Sequence, residues 1–118
     1  MALNDTAKHT GLAAIVAEIT FFSLHTDVVG SGSGGEVTGG SPAYARKAAS
    51  WAAPASGAVA TNTSPVFDVP AGTVRRVGFF GAASGTASYR GDADITDEVF
   101  AAQGTYTLNS GSSISITG

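Results

Sequence analysis

At 118 residues the chain is long enough for one domain with one core. Ala, Gly, Ser and Thr make up more than half of it and charged residues only 13%, against the roughly 25% usual in globular chains, so its polarity comes from small uncharged side chains. A net charge of −3 with six basic residues cannot neutralise a long run of phosphates, which argues against nucleic acid, and the absence of cysteine removes disulfides, thiolate zinc sites and cysteine nucleophiles together.

Asn4 or Asp5 is placed to cap a helix over about residues 4–18, because a short polar side chain accepts a hydrogen bond from an orphan backbone N–H. Ala7, Leu12, Ala13, Ile15, Val16 and Ile19 recur at three- and four-residue spacings, which suits an amphipathic helix with Gly11 as its weak point. The apolar stretch Leu12 to Phe22 contains Glu18 and is about half the roughly 20 residues that a membrane span needs, so no membrane partner is expected. Nor does the order of Asn4, Asp5 and Lys8 before that stretch follow a secretory signal.

From Phe21 to Thr26 aromatic and β-branched residues announce a first strand. Residues 30–41, GSGSGGEVTGGS, read as a long flexible Gly/Ser-rich loop inside the domain, around a Glu36-Val37-Thr38 island. A β body over 43–118 follows, with candidate strands at Tyr44–Trp51, Gly57–Thr61, Pro65–Val69, Thr73–Gly81, Thr86–Arg90, Glu98–Ala101, Thr105–Asn109 and Ser113–Thr117. Turn signals about every ten residues give the pattern of an antiparallel β-sandwich, jelly-roll-like, or of a barrel, with one short N-terminal helix. Val69-Pro70-Ala71-Gly72 reads as a tight turn. The last two strands, which alternate most clearly, are expected to form a hairpin across Asn109-Ser110-Gly111-Ser112.

Few groups carry chemistry. His9 and His25 lie on different elements, neither next to a partner at usable spacing, so His25 is expected to be a hydrogen-bonded histidine rather than a metal ligand. Asp92, Asp94, Asp97 and Glu98 fall in GDADITDE, a weak match to a calcium loop because Asp97 stands where such a loop needs glycine; a solvated turn is the simpler reading. Four acids confined to one loop do not flank a sugar from opposite sides. Gly30-Ser31-Gly32-Ser33-Gly34 has nucleophile-elbow spacing only inside a flexible tract, with no base placed for it. No catalytic residue, cofactor or metal is therefore assigned, and no enzyme is expected. The candidate interaction surface is Trp51, Tyr44 and Tyr89, whose rings combine apolar faces with polar tips, together with Arg46 close to Tyr44 in sequence. Core packing competes for these rings, and Trp51 is expected to serve mainly in the core.

The segments LNDTAK (3–8), SLHT (23–26), EVTGGSPAYARKAASW (36–51), FDVPAGTVRRVGFF (67–80) and FAAQGTYTL (100–108) together resemble a family of small virion proteins of tailed bacteriophages infecting actinobacteria, commonly labelled tail fibre or minor tail proteins. The likeness runs from residue 3 to about 109, with TGGSPAYAR its most distinctive stretch; it departs at Gly30–Gly35 and at Arg75-Arg76. It implies a mostly β structural protein of the virion, assembled in the host cytoplasm, whose partners are other virion proteins and copies of itself, a trimer among the options. Capsid decoration on the head of the same virion and a carbohydrate-binding β module that takes a host surface glycan are the alternative readings.

Overall fold

The computed structural model describes residues 3–27, 29–30 and 34–109, and the backbone of 113–115. The protein is mainly β, with one helix, α1 (Asp5–Ala17), and strands β1 (Phe21–His25), β2 (Lys47–Ala48), β3 (Ala58–Ala60), β4 (Val66–Val69), β5 (Gly72–Phe80), β6 (Tyr89–Phe100), β7 (Gly104–Thr107) and β8 (Ser113–Ser115). All strand pairs are antiparallel. A four-stranded sheet has the order β2-β1-β5-β6, and two ribbons, β3-β8 and β4-β7, accompany it.

Asn4 caps α1, its side chain accepting from the Ala7 N–H at 2.9 Å. The expected amphipathic face is much narrower than its pattern: within α1 only Leu12 is buried, while Ile15 is 41% exposed. The helix lies against β3, and His9 Nε2 accepts from the Gly57 N–H at 3.1 Å. Ser56 and Gly57 both have positive φ, as a tight turn into a strand with right-handed twist requires. No described helix is long and apolar enough to cross a membrane.

Register divides the four-stranded sheet into two faces, because directly paired residues share one. Phe22 pairs with Phe79 and Leu24 with Val77, and Val77 with Ala93. This apolar face packs against Phe67 and Val69 of β4, and Ile19, Val37, Val74 and Leu108 complete the same core. The layering is β-sandwich-like, and Pro70-Ala71 supplies the expected turn as a corner, carrying the chain from the β4-β7 ribbon into β5 of the large sheet.

Three local expectations are corrected. The candidate strand Tyr44–Trp51 shortens to Lys47–Ala48, because the Tyr44 N–H is taken by Gly39 O in a turn and the side chains of Tyr44 and Arg46 are held by Glu36. The separate strands Thr86–Arg90 and Glu98–Ala101 fuse into the 12-residue β6, so the acidic stretch is extended strand and not a loop. Asp94 lies opposite Arg76, and Asp92 approaches the Arg76 guanidinium at 4.0 Å, which offsets the poor strand propensity of aspartate. Finally, β7 and β8 do not pair as a hairpin: β7 joins β4 and β8 joins β3. Residues 110–112 of the expected turn lie outside the described residues.

Candidate functional site

The second face of the sheet carries the polar chemistry. Ser23 pairs with Gly78 and Gly78 with Asp92, while His25 pairs with Arg76 and Phe80 with Tyr89. Ser23, His25 and Phe80 are all fully buried there. The segment Gly34–Val37 closes this side of β1: the Thr26 N–H donates to Gly35 O at 2.8 Å and the Val37 N–H to Leu24 O at 3.0 Å, and Glu36 bridges to His25. Period-two alternation then explains why Val37 enters the apolar core while Glu36 turns to the polar face. That part of the Gly/Ser-rich tract is pinned to the sheet; residues 31–33 lie outside the described residues.

Glu36 is the hub. Arg46 Nε donates to its Oε2 and Arg46 Nη2 to its Oε1, both at 2.9 Å, and the Tyr44 hydroxyl donates to Oε2 at 3.0 Å. Arg46 also donates to the carbonyls of Ala82 at 3.1 Å and Gly85 at 2.8 Å, and its guanidinium sits 3.7 Å above the Phe80 ring centroid. Bidentate, charge-assisted bonding is the strong form of an Arg–carboxylate pair. Here it is almost dry, with side-chain exposures of 3% and 17%. Burial alone would raise the Glu36 carboxyl, but the Arg46 and Tyr44 bonds and the Arg46 charge outweigh it and hold the group below the usual range. The Tyr44 hydroxyl accepts from the Leu24 N–H at 2.9 Å, and burial, with Glu36 beside it, pushes its ionisation upward.

His25 is the histidine bound into the sheet that its sequence context suggests. Nδ1 lies 2.7 Å from Gly34 O and Nε2 2.7 Å from Ser23 Oγ. A carbonyl only accepts, so Nδ1 carries the proton and Nε2 accepts from the Ser23 hydroxyl. The ring stacks on Phe80 at 6.3 Å and 12°. Burial holds its pKa below 6.5 against the opposing pull of the Gly34 bond and the Glu36 charge. The expectation that neither histidine has a partner at usable spacing is therefore wrong: residues two apart on a strand share a face, which was the available signal. The distance suits a nucleophile and base, but both side chains are fully buried, and a backbone carbonyl stands where an orienting carboxylate would be. Gly78 is what makes room, since a Cβ there would meet Ser23 Oγ and would lie 2.7 Å from His25 Nε2.

The four candidate surface residues divide between the two faces. Arg46 is buried and Tyr44 half-buried, its ring stacked on Phe67 at 6.3 Å. Trp51 is half-buried: its indole N–H donates to Ile19 O at 3.0 Å and its ring meets Phe22 edge-on at 5.6 Å. Half-buried Tyr89 leans on Phe80 at 5.7 Å, its hydroxyl pushed up in pKa by burial and by Asp92. Two clefts flank the Glu36–Thr38 island, one of about 190 Å³ between it and the Pro70–Thr73 turn, the other of about 330 Å³ between it and Ala83–Gly85. Among the described residues no cluster of three His, Asp or Glu converges as a metal-holding group. Asp92 and Asp94 instead line β6, whose pairing with β5 slips between Val74 and Arg76.

No protein-family model matches the chain, and no curated protein matches it.

Proposed function

We propose that this chain is a structural protein of a bacteriophage virion, a tail fibre or tail-associated surface protein that works through protein–protein contacts as a homo-oligomer. The observation that carries the reading is where the resemblance-bearing segments meet. Glu36, Tyr44 and Arg46, all from EVTGGSPAYARK, bond to one another. Gln103 of FAAQGTYTL grips the turn of TGGSPAYAR at its middle, accepting from the Ser41 N–H at 3.1 Å and donating to Pro42 O at 3.2 Å. Segments distant in sequence thus form one scaffold, which supports a likeness of whole fold and not of a stray motif. The β6 strand adds a surface of the right kind: 12 residues paired on one side only among the described residues, with Val99 76% exposed.

Immunogold electron microscopy of purified particles tests this. Label clustered at the tail is the expected result. A shell of label over the head transfers the protein to capsid decoration, and its absence from particles, by label and by mass spectrometry, rejects the virion reading.

A further inference from the structure

His25 ties the Gly34–Glu36 segment to β1 through Nδ1 and Gly34 O, and its Nε2, where an added proton would go, lies in the fully buried layer that this segment covers. We propose that His25 is an acid-sensitive latch: a second ring proton turns Nε2 from acceptor into donor against Ser23, and the Gly34–Glu36 segment comes away from β1. Among the described residues both ring nitrogens are already engaged. Nδ1 is already committed to Gly34 O, and Nε2 faces Ser23 Oγ at 2.7 Å. To accept a new Nε2–H, the serine must withdraw its own hydrogen and find another acceptor inside a fully buried layer. Gly78, across from Ser23, brings no side chain to take it. A buried polar hydrogen without a partner is unfavourable, because its lost hydration goes uncompensated, and opening the segment returns that hydration to the charged ring.

The surrounding charges do not rescue the imidazolium. From the covering segment, Glu36 attracts it, but both Glu36 oxygens are bound by Arg46, and the Arg46 guanidinium itself repels it. From β6, Asp92 attracts it, but Asp92 already serves Arg76 of β5 and the Tyr89 hydroxyl. Asp27, just beyond β1, backs onto Gly35. Because the closed state depresses the His25 pKa below 6.5, the opened state takes the proton first as pH falls, and closure weakens progressively below that point. Glu36, held below 4.5, stays ionised between pH 7 and 5, so the latch acts before the Arg46 clamp does.

Amide exchange on the intact chain reads this directly. The Thr26 and Val37 amides, which bond to Gly35 O and Leu24 O, report the segment; the Leu108 amide, which bonds to Pro65 O in the other layer, is the control. After correction for intrinsic rates, protection at Thr26 and Val37 should fall between pH 7 and 5 by up to about tenfold per pH unit, the limit for uptake of one proton, with Leu108 unchanged. In His25→Gln, which offers the same donor and acceptor without titrating, the fall should vanish. Equal protection at pH 7 and 5 in the wild type, or the same fall in His25→Gln, overturns the proposal. Should that variant fail to fold, the His25 ring signals of the wild type decide by NMR: ring titration and loss of protection must follow one curve, and separate curves refute the latch.

Discussion

The two faces of the β2-β1-β5-β6 sheet are sealed by opposite chemistries. One buries Phe22, Leu24 and Val77 against Phe67 and Val69; the other buries Ser23, His25 and Phe80 beneath Glu36 and Arg46. The apolar face is forgiving, since dispersion and water exclusion have no direction, and hydrophobic groups of about the right volume suffice. The polar face is stringent, because each buried donor and acceptor must find its partner or pay the desolvation of an unmet group. Its arrangement hangs on Glu36, which lies at the sheet edge where Tyr44 reaches it from the apolar side and Arg46 from the polar side.

Substitutions distinguish the two kinds of cover. Phe67→Ala, at a fully buried ring, should cost about 3–5 kcal/mol by urea denaturation. On this face Phe67→Leu should recover much of that, since the requirement is volume. On the polar face the shape is enforced by absence of a side chain: Gly78→Ala drives a methyl into Ser23 and His25 and should cost about 1–3 kcal/mol, the range for overpacking. Near-neutrality there would mean that the Ser23–His25 contact is loose. The exposed pair Arg75–Asp97, at 3.4 Å with both side chains more than half exposed, marks the lower end. Asp97→Asn should change stability by less than about 1 kcal/mol, and by less still in high salt.

Much of the apolar face is legible in the sequence. The candidate strands Phe21–Thr26 and Thr73–Gly81 fall close to β1 and β5, and the capped helix and the Pro70-Ala71 turn lie where the pattern puts them, because local propensity and period-two alternation agree there. The polar face was not legible, for a physical reason. Glu36 sits in a glycine-rich run that reads as a loop, and its partners Tyr44 and Arg46 stand in a segment that reads as a strand; only the folded geometry makes the three converge. The acids of β6 misled in the same way, since Asp92 and Asp94 look like a turn until Arg76 on the neighbouring strand is known. Strand pairing was also out of reach at the C-terminal end, where β7 and β8 each choose a distant partner over each other.

The Glu36–Arg46 pair holds the polar face as a unit, and a double-mutant cycle measures that coupling. Removing one member of a buried ion pair leaves the other charged and unpaired, so Glu36→Ala and Arg46→Ala should each cost about 3–5 kcal/mol in urea denaturation at pH 7. The double variant should cost little more than either alone, because nothing charged remains unpaired. Two small single losses that simply add in the double variant would mean that Glu36 and Arg46 act independently and that no such unit exists.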